Sequence, residues 1–464
     1  MKYLSKFFFL LLTAAILVAP GCKDDTVEPP TTVTVSGTVS DDLGNALAGA
    51  TVTSDAGTTA ETAADGTYSI AVSSGAELTY EKEGYDAATA TADSENETQT
   101  IDVTLNRGPG AFFAAYFTTA GNKVQDPAFA ANSIVPTADV AASAGCNASY
   151  KGAVEPGATP WYADWSFYDN LINGNTKSNA ITTGNLVTIT DADLQGAGDV
   201  VWTADNTYVL DGFVFVNDGQ TLTIQAGTVI QGKPGEGENA SALIVARGGK
   251  IMADGTKDNP IIFTYEGDAG GSDATLRGQW GGLIILGKAG LNSTPGETAI
   301  EGIPTSEARG LYGGSVDNDN SGIVRYVSIR HGGTNIGADN EINGLTLGGV
   351  GSGTTLEYIE IIGNKDDGIE WFGGTAEVSY LISAFCGDDG LDYDEGYRGS
   401  CEFVIVHQDP AADAADRGGE HDGGTSPETG APLATPQIYN ATYIGRGQSE
   451  GTRAITFRDN AGGG

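Results

Sequence analysis

Basic residues are scarce in this chain: Lys and Arg number 23 against 61 Asp and Glu, a net charge of −38 over 464 residues. That balance argues against nucleic acid as a partner, because phosphates need a basic surface. It fits an acidic, well-solvated surface that recruits cations. Long apolar runs are also lacking. The one at Phe7–Ala19 is too short to span a bilayer comfortably and reads as a secretory signal rather than an anchor helix. No helical pattern separates the apolar stretches of the C-terminal half. What is abundant is glycine, 68 residues of 464, above the usual ~7%. With frequent Thr and Val it points to a β-protein rich in tight turns, long enough for two or three domains.

The opening "MKYLSKFFFLLLTAAILVAPGC" sets two lysines before the apolar run and small residues before Cys22. It resembles a bacterial lipoprotein signal with the lipobox "APGC", Ala19 standing where that family usually has Leu. The resemblance implies cleavage after residue 21 and acylation of Cys22. The following "CKDD" is similar to the signal that sends some Gram-negative lipoproteins to the outer face of the outer membrane, and residues 22–32 read as a Pro-rich tether. With Cys22 lipidated, Cys146, Cys386 and Cys401 remain, so at least one thiol is unpaired or bonded between chains. Cys386 and Cys401, fifteen apart, are a candidate disulfide that an oxidising compartment permits.

Residues 33–106 alternate Val and Thr between the turns "DDLGN", "ADGT" and "SSGAE", which predicts six or seven short strands in a small β-sandwich. "SGTVSDDLGNALAGATV", "TAADGTYSI" and "KEGYDAATA" resemble the carboxypeptidase regulatory-like domain, a transthyretin-like sandwich. The resemblance implies a stalk or spacer, with carbohydrate binding known in related folds. Residues 107–195 concentrate aromatics, and "YKGAVEPGATPW" (150–161) resembles the segment preceding the β-helix in cell-surface lipoproteins. Trp161, Tyr162, Trp165 and Phe167 are expected to cap the first coil of a solenoid, or alternatively to form a sugar-binding shelf.

From residue 196 to 464 short β-branched runs recur. "TLTIQAGTVIQG" (221–232) aligns with "ALIVARGGKIMADG" (242–255) at a shift of 21, and "PIIFTY" (260–265) with "GLIILG" (282–287) at 22. The pattern predicts a parallel β-helix, and 269 residues at 22 per coil give about 12 coils. "WGGLIILGKA", "NGLTLGGVGSGTT" and "KDDGIEWFGG" resemble a group of surface β-helix lipoproteins within the right-handed pectate-lyase-like superfamily; the resemblance brings no established activity. The fold expected is therefore all-β, a small sandwich followed by a right-handed parallel β-helix. The last residues, "RDNAGGG", break off in mid-repeat and predict a fragment.

Two acidic phrases carry the chemistry: "KDDGIEWFGG" (365–374) and, 22 residues on, "GDDGLDYDEG" (387–396). Stacked one coil apart, Asp366 meets Asp388, Asp367 meets Asp389 and Glu370 meets Asp392. Two bare charges at ~5 Å cost about 3 kcal/mol at an effective dielectric near 20. Residues 364–396 hold nine acidic side chains and one base, Lys365, so relief must come from solvent, raised pKa values or a cation. Calcium, taking six to eight oxygen ligands, is the apt ion, with Asp366, Asp367, Asp388, Asp389, Asp392 and Asp394 as candidate ligands. The other reading is turn chemistry, Asp-Gly bends facing water. "DNDNSG" (317–322) opens like a calcium loop but has Ser328 where the loop needs Glu.

"KDDGIE" and "GDDGLD" are also similar to acidic motifs of the polygalacturonases. Those enzymes need a Gly-His-Gly and an Arg-x-Lys downstream; neither follows residue 396, and "RHGG" (330–333) comes too early. A lyase would need a strong base, for which Arg398, Arg453 or Arg458 would have to serve. No catalytic residue is assigned. The leading reading is a surface-anchored, non-catalytic binding or structural lipoprotein, with calcium and a polysaccharide or other surface ligand as candidate ligands. The alternative is a calcium-dependent polysaccharide lyase or hydrolase on the same scaffold.

Overall fold

The computed structural model describes residues 32–41, 46–82, 85, 87–93, 97–105, 152–155, 157–175, 181, 184–270, 274–337, 340–409, 415–424, 427–446 and 453–462. The leader, Cys22, the "CKDD" signal and Cys146 lie outside these residues. The chain divides into two compact units, Met1–Lys82 with Ala87–Asn106, and Glu83–Asp86 with Arg107–Gly464.

In the first unit, Thr/Val alternation does what a period of two demands. Along Thr67–Ser73 every second residue is buried, so one face of the strand is apolar and the other wet. Eight strands form two four-stranded sheets, one centred on Thr32–Asp41, the other running Thr59–Glu61, Thr51–Ser54, Glu77–Glu81, Ala88–Thr91. Tyr68 of the first sheet and Tyr80 of the second meet in the core, their hydroxyls 2.7 Å apart, which ties the sheets face to face. Both tyrosines are buried.

The second unit is a parallel β-helix. An eight-stranded parallel sheet forms one face, in the order Phe213–Val216, Ala242–Val245, Leu283–Leu286, Leu345–Gly348, Ile369–Phe372, Leu391–Asp394, Gly419–Asp422, Ile455–Arg458. A twelve-stranded sheet forms the rest of the wall. In the early coils two separate strands make that wall: Lys250–Asp254 pairs with the first half of Gly322–Arg330 and Ile261–Tyr265 with its second half. From there on each coil uses one long strand, bent at a single left-handed residue: Tyr326 (φ 47°), Tyr358 (52°), Tyr380 (61°), Phe403 (56°) and Asn440 (51°).

A left-handed non-glycine residue costs roughly 1–2 kcal/mol. The corner offsets this by stacking: Tyr326 on Tyr358 at 4.4 Å, Tyr358 on Tyr380 at 4.3 Å and Tyr380 on Phe403 at 4.9 Å between ring centroids. Each such pair contributes about 0.5–1.5 kcal/mol beyond its buried area.

The observed registers correct three sequence expectations. Leu222 stacks on Ile251 and Leu243 on Val214, each 29 residues away, while Leu283 stacks on Leu243 at 40. The apparent 21–22 period in residues 221–287 therefore compares strands of different faces. Eight strands on the first face replace the expected 12 coils, because long insertions separate the early strands. The 22-residue spacing is real only where coils lack insertions, as from Leu356 to Val378 or Ile369 to Leu391.

The aromatic segment is neither an end cap nor a sugar shelf. Residues 152–175 lie along the side of the later coils. Trp161 sets its ring edge-on to Tyr358 and Tyr380, and Trp165 to Tyr326, so they cover the corner stack. Phe167–Asn173 is a short helix, capped by Ser166 and stopped at Gly174 (φ 67°). Its first N–H groups, on Phe167 and Tyr168, donate to the buried Glu360 carboxylate at 2.7 and 3.1 Å. Arg330, also buried, lies 3.9 Å from Glu360 and over the Phe167 ring. Ala153 N donates to Thr442 Oγ1 at 2.9 Å. The first coil is closed instead by the helix Asp191–Leu194 and by Trp202 stacked on Tyr208.

The Cys386–Cys401 disulfide is not formed; both are buried free thiols. Cys401 is stacked on Val378 at the start of its strand, whereas Cys386 lies just beyond Ala384, the residue paired with His407 at the strand's other end. Six residues of strand put them on the order of 15 Å apart, and a disulfide needs Cα atoms within about 7 Å.

Candidate functional site

The two acidic phrases lie where the chain turns into the eight-stranded face, and there the expected stacking holds. Ile369 pairs with Leu391, Glu370 with Asp392 and Trp371 with Tyr393. Because side chains alternate, Trp371 and Tyr393 fill the core while Glu370 and Asp392 point outward. The next coil adds Glu420 above Asp392 and His421 above Tyr393. Two residues before each paired Ile or Leu, the turn holds Asp367 and then Asp389. Asp367 Oδ1 accepts the N–H of Asp389 at 2.8 Å, and Asp389 Oδ1 accepts that of Arg417 at 2.6 Å. Each turn carboxylate is thus tied to the backbone of the coil above.

Four groups of three carboxylates result, each with oxygens within 4.8 Å of one another: Asp366–Asp367–Asp388, Asp367–Glu370–Asp392, Asp388–Asp389–Asp416 and Asp389–Asp392–Glu420. Five of the six expected ligands are brought together. Asp394 is not. It faces outward two residues beyond Asp392, its rung neighbour is Phe372, and it accepts the N–H of Glu395 at 2.6 Å.

Sequence reasoning missed four members: Glu370, Asp416, Arg417 and Glu420. Glu370 was visible as the counterpart of Asp392. The others were hidden because the next rung comes 28 residues after Leu391, at Gly419, instead of 22. Arg417 matters most. Its Nη1 lies 3.2 Å from Asp389, 2.7 Å from Asp416 and 2.8 Å from Glu420. Arg458 reaches Glu420 at 3.1 Å and Asp422 at 2.6 Å. The upper rung therefore carries its own cations, which corrects the expectation that no internal ion pair could relieve the tract.

On the lower rung, Asp367, Glu370 and Asp392, the charge of Arg458 acts on Asp392, while its short contacts go to Glu420 and Asp422. Burial raises all three carboxyls well above the usual carboxylate range, and Asp392 is the strongest charged neighbour of the other two. Oxygens of Asp392, Asp367 and Glu370 lie within 4.8 Å of one another. Asp392 Oδ1 is buried without a partner. Asn343, fully buried, donates its amide to Glu370 while its own Oδ1 has no partner. Asp389 is pushed up to about 8 by burial and by Asp388 and Glu420, against the pull of Arg417.

The remaining sequence candidates are closed. In "DNDNSG", Asp317 binds Arg398 at 2.6 Å, Asp319 accepts Lys288 N at 3.1 Å and Asn320 accepts Gly322 N at 2.9 Å. In the strand Gly419–Asp422, His421 points into the core, stacked on Tyr393 at 4.4 Å. Arg398 and Arg458, two of the three bases a lyase would have to use, are held in ion pairs with Asp317 and Asp422.

Residues 194–463 match the family model described as "Pectate-lyase like beta helix domain". No curated protein matches the chain.

Proposed function

The chain belongs to the pectate-lyase-like β-helix family, and from that premise we propose that it is a non-catalytic carbohydrate-binding module whose acidic tract takes calcium. The family fits a carbohydrate-related scaffold. The observation that carries the cation is the lower rung: oxygens of Asp367, Glu370 and Asp392 converge within 4.8 Å of one another, and Asp392 Oδ1 is buried unpartnered. The ligands on offer are all carboxylate oxygens, and hard oxygen ligands suit calcium. A bound cation would let all three carboxyls ionise and would present its remaining coordination positions to an anionic sugar. Asp366 and Asp388 complete the rim toward solvent.

The hydrolase alternative rests on the same raised carboxyls. Two catalytic carboxyls need about 5 Å between them for a retaining mechanism or 6.5–9.5 Å for an inverting one. Oxygens of Asp367, Glu370 and Asp392 lie within 4.8 Å of one another, closer than the separation an inverting mechanism needs for its water.

Retention of the full chain on an immobilised uronate polymer tests the proposal. Binding is expected in millimolar calcium and release in chelator, with no new reducing ends and no unsaturated product. Product formation would establish the enzyme; absence of retention in calcium would end the binding reading.

We place the protein at the outer membrane through a lipid on Cys22, on the strength of the lipobox-like "APGC". Cys22→Ala is expected to move the chain from the membrane to the soluble fraction and to abolish lipid labelling. Unchanged membrane association of the variant would refute the anchor.

A further inference from the structure

Of the four carboxylate groups, the two lower ones share Asp367 and the two upper ones share Asp389. The upper two have a cation of the chain itself in their midst. Arg417 Nη1 lies 2.7 Å from Asp416, 2.8 Å from Glu420 and 3.2 Å from Asp389, so one charged nitrogen stands among three carboxylates drawn from both upper groups. The two shorter contacts are only slightly longer than calcium–oxygen distances, about 2.3–2.6 Å. The register explains how the side chain gets there. Asp367, Asp389 and Arg417 occupy the same turn position on successive coils, two residues before Ile369, Leu391 and Gly419. Asp389 Oδ1 accepts the Arg417 N–H just as Asp367 Oδ1 accepts that of Asp389, so the ladder of backbone ties runs on through the arginine. Its guanidinium does not act as a fork, because Nε is buried without a partner. A bidentate clamp uses two parallel N–H groups on one carboxylate; here a single nitrogen is set among three.

We propose that Arg417 is a tethered cation standing in the place of a second metal ion, and that it confines exchangeable calcium to the lower rung. The inference rests on the proposed calcium reading for the identity of the ion. A guanidinium stays charged at every working pH, and no chelator removes it. The upper rung is therefore neutralised permanently, while the lower one depends on what the solution supplies. Without the guanidinium, the position is bounded by oxygens of Asp389, Asp392 and Glu420 within 4.8 Å of one another, with Asp388 and Asp416 grouped on Asp389 as well. These are hard ligands of the kind calcium takes. Arg458 does not fill the same place. It reaches Glu420 at 3.1 Å, but its shortest contact is Asp422 at 2.6 Å, on the far side of that residue. Loss of the Arg417 side chain leaves its backbone tie to Asp389 intact, so the turn itself does not depend on the guanidinium.

Equilibrium dialysis of the full chain against millimolar radioactive calcium counts the ions bound. Arg417→Ala is expected to bind one ion more than the wild-type chain, and Arg417→Gln, which keeps more of the side-chain volume, gives the same gain if the alanine variant folds poorly. Arg417→Lys retains a cation and is expected to match the wild type. Added to Arg417→Ala, the pair Asp416→Asn and Glu420→Gln removes the gained ion and leaves the lower one, whereas Asp367→Asn with Glu370→Gln does the reverse. Melting supplies a second readout. Arg417→Ala leaves three carboxylates without their counter-charge, so it melts below the wild type in chelator and recovers in calcium but not in sodium of equal ionic strength. Equal ion counts for the wild type and both neutral variants would overturn the inference, as would a lysine variant that gains an ion. A wild-type chain that binds no calcium, beside an Arg417→Ala chain that binds one ion, would refute calcium on the lower rung and leave the role of Arg417 standing.

Discussion

In the presence of chelator the full chain is expected to lose stability as the pH rises from about 4 to about 8. This is the reverse of ordinary acid denaturation. Asp389 has its folded pKa raised from 3.8 to about 8, chiefly by burial. A group raised in the folded state contributes stability that is fully present below its unfolded pKa and is lost as pH climbs through the folded value. At 1.36 kcal/mol per unit, this one carboxyl accounts for on the order of 5 kcal/mol across that window. Asp367, Glu370 and Asp392 shift in the same direction and for the same first cause. Groups of the other sign limit the effect at the acid end. Glu307, lowered to about 2 by its hydrogen bonds from Arg309, contributes stability above its unfolded value that is lost as pH falls through 2. Maximum stability in chelator is thus expected between about pH 4 and pH 5. Melting curves over pH 3–9 check this; stability that instead rises from pH 4 to pH 8 would show that the tract is solvated rather than buried.

The physical reason lies in the register. Between residues 364 and 396 the coils contain no insertion, so a phrase repeated at 22 residues becomes a stack of carboxylates in space. That much was legible in the amino-acid order, as were the all-β class and the solenoid. What lay beyond reach depended on insertions. Arg417 is a rung of the same stack, but the chain between His407 and Gly419 lengthens the coil and takes it out of phase. Reading only residues 364–396 left the tract without a base, when the coil above supplies one.

Face assignment failed for a related reason. A short apolar β-branched run such as "TLTI" or "ALIV" looks the same whichever wall it joins, so an apparent period can link strands that never touch. The aromatic segment was misplaced because its partners are corner residues. Tyr326, Tyr358, Tyr380 and Phe403 are positions where the chain takes a left-handed bend, and nothing in their local sequence marks it. The proposed disulfide rested on spacing alone. Its two thiols instead face different neighbours, Cys386 toward Ser383 at 3.6 Å and Cys401 toward Tyr397 at 3.8 Å.

Calcium is expected to cancel the instability that pH reveals. A cation on the lower rung stabilises the folded state by RT ln(1 + [L]/Kd), about 2.7 kcal/mol at a hundred times Kd. Extracellular sites of this kind often bind near 10⁻⁴–10⁻³ M, so millimolar concentrations are required. The most direct measurement is therefore the melting temperature of the full chain near neutral pH in calcium, in chelator, and in sodium of equal ionic strength, which only screens. The account predicts a rise in calcium alone. It predicts that Asp367→Asn with Asp392→Asn abolishes the rise while making the chain more stable in chelator, since the buried repulsion is gone. Identical melting of the wild-type chain in all three solutions would contradict it, and the repeated acidic phrase would then be turn chemistry only.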